Sequence, residues 1–568
     1  MSDTIDQPTV ETDELLQEIE RKRTLRGAAT VVVSIIGILF SAYQMWFAAR
    51  GFEFVISVPL LGEVELASLQ LLQINAIHVA FALVLTFLLY PGSTGEGPVS
   101  RACRGLRRRA AARLGEASAV VRAMDAVGGA LRWAFVDPDF ERVTPFDLLL
   151  VAIAALSATY FVTDFAEIQR MRALGLPAGR PVQEVFTFLE PIAALFGPLA
   201  DVSYAFVLGV LGVLLVLEAT RRAISLYLVI IVGAFIVYAR FGVLIPQNAA
   251  YVGVLSIPEL TWPSIIQNLW YNTENGVFGI PVTVSVQFIY IFILFGAFLE
   301  MSGAGQWFID LAYASTGSRK GGPAKASILA SGFMGTISGS SIANTVTTGA
   351  FTIPLMKRSG YSPEFAGGVE SSASSGGQIL PPVMGAAAFL IVQYTATPFA
   401  DVIVAAAIPA IVFFFGVWVM VHLEAARLNI GGLDPDSLVD TREHLRVGWF
   451  YLVPIVLLLY YLIIVRLSVA RSAWFTLVAI VALITLVAAW SDETRGRLVG
   501  IFLALGVAQF LAQLLAGAPL LTALGGGGAG AQSAQAAFAA TVGNLGWLAI
   551  TAGVLTLLSK PRLTASWL

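Results

Sequence analysis

The chain has 568 residues, 57% of them apolar and 12% charged, with a formal net charge of −3. Soluble globular domains carry about 25% charged residues, so this composition excludes an ordinary cytosolic enzyme and a disordered chain. It also excludes a nucleic-acid binder, whose phosphate contacts need a dense basic surface. One cysteine, Cys103, and three histidines, His78, His422 and His444, are too few for a disulfide framework, a zinc site or a haem, so no cofactor is expected.

Charge-poor runs long enough to cross a bilayer, about 20 residues each, predict twelve spans: 27–49, 69–90, 146–164, 203–219, 223–239, 282–300, 375–394, 402–422, 448–465, 473–490, 498–516 and 537–558. The fold class is therefore an all-α polytopic membrane protein. Met1–Glu20 is acidic and lacks the apolar core and cleavage site of a signal peptide, and Arg21, Lys22, Arg23 and Arg26 follow it. An even number of spans then places both termini in the cytoplasm. Arg101, Arg104, Arg107, Arg108, Arg109 and Arg113, between spans two and three, mark that loop as cytoplasmic. A lipid-binding role for this cluster is the lesser alternative.

A thirteenth apolar stretch, 326–354, reaches about 44 Å as a helix, whereas two crossings need about 60 Å. Two full crossings are excluded. A single crossing would move every later basic loop to the outside, so the positive-inside rule favours a hairpin, 326–356, that enters from the cytoplasm and turns back. Residues 331–353 read SGFMGTISGSSIANTVTTGAFTI, in which fourteen of twenty-three are Gly, Ser, Thr or Asn and none is charged. Backbone this polar survives at membrane depth only when protein or a water-filled cavity surrounds it. Ser338, Gly339, Ser340 and Ser341 are the expected tip, with Asn344, Thr345 and Thr348 behind it.

Residues 371–385, SSASSGGQILPPVMG, break the next span. Pro381 and Pro382 lack an N–H, so a continuing helix would leave the carbonyls of Gly377 and Gln378 free for a cation. Ser374, Ser375, Gly376 and Gly377 let the chain unwind, and the half-helix beyond offers its N–H groups to an anion. A discontinuous helix beside a hairpin is how secondary transporters bind a coupling ion and an anionic substrate near the midplane. The coupling cation is placed at Gly339, Ser340, Gly377 and Gln378.

These two elements carry a family resemblance. Gly276–Ala312 and Gly321–Ile391, and more weakly NAIHVAFALVLTFLLYP at 75–91, LEATRR at 217–222 and HLEAARLNIGGL at 422–433, resemble the fused permease of the tripartite ATP-independent periplasmic (TRAP) transporters, TAXI subfamily. The resemblance implies sodium-coupled uptake of an organic acid, a dicarboxylate or related carboxylate, across a prokaryotic inner membrane. It also implies that an extracytoplasmic solute-binding protein hands the acid over. A small four-helix part (1–222), a transport part with the first repeat (223–446) and four further spans (447–568) are the implied domains. The family's second hairpin and second broken helix have no counterpart here, so the expectation is either that a separate second-half polypeptide supplies them or that the chain is truncated.

Acids near the membrane are Glu218, Glu300, Asp310, Glu364, Glu370 and Glu424, all within a few residues of a predicted boundary. Glu370, beside the broken helix, is the candidate for proton binding or gating. His78, mid-span with Asn75 one turn earlier, suits an interhelical hydrogen bond. Trp262, Trp270 and Tyr271 suit an interfacial segment, and the Gly525–Gly530 run is a low-complexity linker. Two rival functions stand beside the permease. One is a non-transporting half-permease scaffold. The other is an intramembrane hydrolase using a hairpin serine, which needs a general base in hydrogen-bond reach.

Overall fold

A computed structural model describes residues 22–49, 55–58, 62–65, 69–95, 97–115, 118–185, 202–248, 251–491, 494–524 and 530–559. Met1–Glu20 and most of the Gly525–Gly530 linker lie outside the described residues. The chain divides into two compact units, Met1–Gln287 and Phe288–Leu568.

The first unit contains helices α1 (Ala28–Ala49), α2 (Leu71–Leu89), α3 (Pro98–Leu114), α4 (Ala119–Phe135), α5 (Pro145–Thr163), α6 (Phe165–Leu174), α7 (Tyr204–Ala223), α8 (Leu226–Phe241) and α9 (Trp262–Trp270). Between α1 and α2 lies an antiparallel strand pair, Val55–Val58 with Gly62–Glu65, in a loop where the all-helical expectation had no strand. Its β-branched residues favour extended backbone. Helix α10 (Ile280–Met301) has a π-helical turn at Ser285–Ile289, and the division between units falls inside it.

The start of α1, the end of α2, the start of α5 and the end of α7 meet at one buried charge cluster. Arg23 donates to Asp137 at 2.8 Å, to Asp147 at 2.6 Å, and to the carbonyls of Phe87 and Leu88 at 3.0 and 3.1 Å. Arg222 reaches the other oxygen of Asp147 at 2.6 Å and Glu218 at 2.7 Å. Both arginine side chains are fully buried, and Asp147 also accepts the Thr144 N–H as a capping-box partner. Four helix ends at one cluster give these spans the alternating up-and-down order that the basic loops imply.

The core of this unit is aromatic: Phe87, Phe161, Trp270, Tyr271 and Phe278 are almost wholly buried. Trp270 and Tyr271 are therefore not interfacial, although Trp262 is 41% exposed. The cause is in α7, where a Cβ on Gly212 would overlap the Trp270 ring and one on Gly209 would stand 3.1 Å from Tyr271. Two glycines one turn apart open a slot that the rings fill. His78 behaves as its neighbours suggested, bonding Gln44 at 2.5 Å and Ser285 at 3.0 Å, while Asn75 donates to Thr283 at 2.8 Å.

The second unit contains α11 (Ala304–Thr316), α12 (Gly322–Ser338), α13 (Ser341–Arg358), α14 (Pro363–Gly377), α15 (Ala386–Thr395) and α16 (Phe399–Arg427). There follow α17 (Thr441–Ile464), α18 (Val469–Ala489), α19 (Arg495–Ala516), α20 (Ala534–Gly543) and α21 (Leu545–Leu558). Ten described helices are long and apolar enough to cross a membrane, and α20 with α21, bent by 60°, make an eleventh if the pair is one span. Eleven of the twelve predicted spans thus have a helical counterpart. The exception is 375–394, which no single helix covers.

Asp147 is the common acceptor of two buried arginines, so Asp147→Ala takes one carboxylate partner from each and leaves the cluster short of a negative charge. The loss expected on breaking such a buried cluster is about 3–5 kcal/mol, read as a large drop in the thermal midpoint of the detergent-solubilised chain. Arg26→Ala, whose ion pair with Glu141 is exposed, should leave that midpoint unchanged.

Candidate functional site

Helices α12 and α13 form a tight hairpin. Gly339, at φ +63°, ends α12 in the left-handed conformation that caps helices, and Ser340 opens α13 by accepting the Ala343 N–H at 3.3 Å. Two residues therefore reverse the chain at the expected tip. Ser331 and Thr348 lie equally far from that turn, and their hydroxyls are 2.9 Å apart, as antiparallel helices require. At 17 and 18 residues the arms reach about 26 Å, short of the roughly 30 Å hydrocarbon core.

The broken helix begins earlier than the predicted span. Helix α14 starts at Pro363, after the Ser362 cap, and ends at Gly377; α15 starts at Ala386. Between them the chain turns through the cis Pro381–Pro382 peptide and Met384, at φ +60°. The carbonyls of Gly377 and Gln378 are not left bare, because the helix does not continue. Leu380 N–H donates to Gly377 at 3.2 Å and Gly385 N–H to Gln378 at 2.7 Å. Each carbonyl retains a second lone pair.

The hairpin and α14 approach backbone to backbone. A Cβ on Gly377 would stand 2.5 Å from the Gly335 Cα, and one on Gly335 2.7 Å from the Gly377 Cα. Near the tip, a Cβ on Gly339 would stand 2.7 Å from the Met384 carbonyl oxygen. Thr336 donates to the Leu380 carbonyl at 2.7 Å, and the Gln378 amide reaches the Ser341 hydroxyl at 3.3 Å. The tip and the break are thus one joined surface.

Below that surface lies a carboxyl cage. Glu370, Ser374 and Gly377 recur at helical spacing on one face of α14, against Ser331 and Gly335 of α12 and Asn344, Thr348 and Thr352 of α13. Glu370 is fully buried. Its carboxylate accepts from Ser331 and Thr348, from Thr352 at 2.6 Å and from Ser374 at 3.2 Å. Among the described residues no Lys, Arg or His forms an ion pair with it, so hydroxyls alone solvate it. The expectation that all six acids are boundary residues fails here, since α14 lies inside the bundle rather than at its rim. Asn344 donates to the Ser331 carbonyl at 2.8 Å and to Ser374 at 3.1 Å, and its own side-chain oxygen is buried without a hydrogen-bond partner.

The predicted site residues thus fall into three groups. Ser338, Gly339, Ser340, Ser341, Gln378, Pro381 and Pro382 lie at the two adjoining turns. Asn344, Thr348, Ser374 and Gly377 line the contact between the hairpin and α14, while Thr345 is half-buried on α13. Ser375 and Gly376 point elsewhere: Ser375 is exposed and bonds Ser371 of its own helix at 2.8 Å, and a Cβ on Gly376 would collide with Phe413 of α16. Ser331, Gly335, Thr336 and Thr352 belong to the site and were not singled out from sequence. One signal could have found most of them. Ser331 and Gly335 are four residues apart in one arm, and Asn344, Thr348 and Thr352 repeat at the same interval in the other, so small or hydroxyl residues recur every helical turn in both. Within this unit His422 bonds Lys325 and His444 bonds the Trp307 carbonyl, so neither is engaged at the tip, and His78 of the first unit is held by Gln44 and Ser285.

The "C4-dicarboxylate TRAP transporter large permease protein DctM" of Vibrio cholerae is 33% identical over 162 residues, 28% of this chain and 34% of that protein. The protein of the same name from Pseudomonas aeruginosa is 29% identical over 171 residues, 30% of this chain and 39% of its own length. The "2,3-diketo-L-gulonate TRAP transporter large permease protein YiaN" of Escherichia coli is 30% identical over 91 residues, 16% of this chain and 21% of its own. These relatives are transporter permeases rather than enzymes, and the matched part of the chain spans about a third of the length of the first two. Residues 211–564 match the family described as "Tripartite ATP-independent periplasmic transporter, DctM component", and this multi-pass membrane chain belongs to that family.

Proposed function

We propose that the chain is the permease component of a TRAP secondary transporter, of the fused TAXI type, which imports an organic acid by sodium symport. The solute would be a dicarboxylate or related carboxylate delivered by an extracytoplasmic binding protein to the inner membrane of a prokaryote. One observation carries this reading: a polar hairpin tip, Ser338–Ser341, seated directly on the break between α14 and α15.

That junction brings together the two kinds of group a symporter needs. Hydroxyls of Ser338, Ser340 and Ser341 and the second lone pairs of the Gly377 and Gln378 carbonyls are hard oxygen donors suited to a sodium ion moved as co-substrate. The start of α15 offers backbone N–H groups to a carboxylate. No lysine or arginine joins these turns among the described residues, so the cation and the half-helix end would balance the substrate's charge. Glu370 is the gating or proton-binding group in this reading, because four hydroxyls from three helices converge on it and must rearrange if the hairpin moves.

Proteoliposomes holding the chain, a binding protein and any second-half polypeptide should take up labelled dicarboxylate only under an inward sodium gradient. Uptake indifferent to sodium would contradict the ion assignment, and no uptake of any carboxylate would contradict the permease itself. The double variant Ser340→Ala, Ser341→Ala is expected to lose at least about tenfold in uptake; unchanged uptake would remove the tip from the site. Gly377→Ala drives a methyl group into the Gly335 backbone, an overpacking that should cost about 1–3 kcal/mol and lower the unfolding midpoint. Glu370→Ala deprives four hydroxyls of their acceptor and is expected to cost about 3 kcal/mol on the same melt, with Glu370→Gln intermediate.

A further inference from the structure

Helices α3 and α4 form a pair outside the spans that the transport site does not use. Their base is fixed at the span ends, because Asp137 N–H donates to the Ser93 carbonyl at 2.9 Å while its carboxylate binds the buried Arg23. The pair is clasped by Arg107, which grips Asp125 with two bonds at 2.7 and 2.9 Å. Arg142 closes the end of α4 by donating to the carbonyls of Trp133 and Val136.

Helix α4 presents an apolar stripe that no other element covers among the described residues of this unit. Val120, Val127, Leu131 and Phe135 share one helical face and are 42–60% exposed, with Met124 half-buried between them. Val121, on the adjoining face, is fully buried. The stripe continues into the membrane part of the unit: the Phe135 ring lies 4.8 Å from Phe146 in the first turn of span α5, and Leu148 and Leu149 on that turn are themselves more than half exposed. A soluble domain of this composition would not leave such a stripe open at the level of the span ends.

The charge on the two helices is almost all of one sign. Helix α3 carries six arginines and no acid, and α4 two arginines against Asp125 alone. Arg101, Arg108, Arg109, Arg113, Arg122 and Arg132 are exposed. A helix pair that carries eight arginines and an apolar stripe, tethered at bilayer level, matches a surface of lipid phosphates over acyl chains.

We propose that the α3–α4 pair is a docking surface for anionic phospholipids of the adjoining leaflet, with the α4 stripe sunk to the headgroup–acyl boundary and the arginines on lipid phosphates. This assignment is independent of the transported solute and ion. It makes the basic loop a lipid-responsive element as well as a determinant of orientation.

Cys103 is the chain's one cysteine and is exposed on α3, so an environment-sensitive fluorophore attached there reports on the unaltered protein. The labelled full chain would be placed in nanodiscs of phosphatidylcholine alone or with phosphatidylglycerol, some carrying nitroxide-labelled lipid. Expected are a blue-shifted emission and at least about twofold stronger quenching in the phosphatidylglycerol discs. Val127→Asp with Leu131→Asp should abolish the shift, and Arg108→Gln, Arg109→Gln, Arg113→Gln should remove the difference between lipids, both at an unchanged thermal midpoint. Equal quenching in the two lipids would overturn the anionic assignment. Water-like emission without quenching in either would overturn docking on the membrane altogether, and would point to a soluble partner for the stripe.

Discussion

The contact between Gly335 and Gly377 governs the transport unit. Because neither residue has a Cβ, α12 and α14 approach to a distance at which backbones touch, and everything polar in this region follows from that approach. It brings Ser331 onto the Glu370 carboxylate that Ser374 reaches from within α14, lets Thr336 reach the Leu380 carbonyl, and carries the Gly339 turn against Met384. A larger side chain at either glycine would separate all three contacts at once. Close packing through small residues is the usual source of helix association where no water is available to drive it. Here it also determines where a charge can be buried.

Glu370 shows the second half of that logic. A carboxylate without a cationic partner is costly inside a protein unless hydrogen bonds surround it, and the hydroxyls around this one come from all three helices. The cage therefore depends on the hairpin and the broken helix staying docked, and the docked state depends on the cage. Such mutual dependence favours discrete arrangements over gradual ones, which is what alternating access requires. In the first unit the same problem of buried charge has a different solution, opposite charges in direct contact, with Arg23 and Arg222 sharing Asp147. That cluster has no hydroxyl cage and holds helix ends together as a rigid point.

Much of this is legible in the sequence. Eleven spans, the hairpin and its tip follow from apolar length, and the cost of polar backbone in lipid excludes SGSSIANT from a bilayer-facing helix. The break follows from two consecutive prolines. Which faces meet is not legible. Ser331 and Thr352 look like ordinary span hydroxyls until the Gly335–Gly377 approach turns them toward Glu370. Glu370 itself reads as a boundary residue because the α14 start at Pro363, well before the apolar run, is not evident from hydrophobicity. Trp270 and Tyr271 resemble interfacial aromatics because Gly209 and Gly212, which admit them to the core, lie some sixty residues earlier in the chain. The bare carbonyls expected at Gly377 and Gln378 assume a helix that continues, whereas the chain turns and supplies its own N–H donors.

The central claim is that tip and break form one ion-responsive junction. Hydrogen exchange of the full chain in nanodiscs, compared in sodium and in choline at equal ionic strength, tests it most directly. The account predicts that amides of Gly339–Asn344 and of Leu380, Val383, Met384 and Gly385 gain protection together when sodium is present, while those of α7 and α9 in the first unit do not change. Protection that is identical in the two salts, or that rises in one segment without the other, would contradict it.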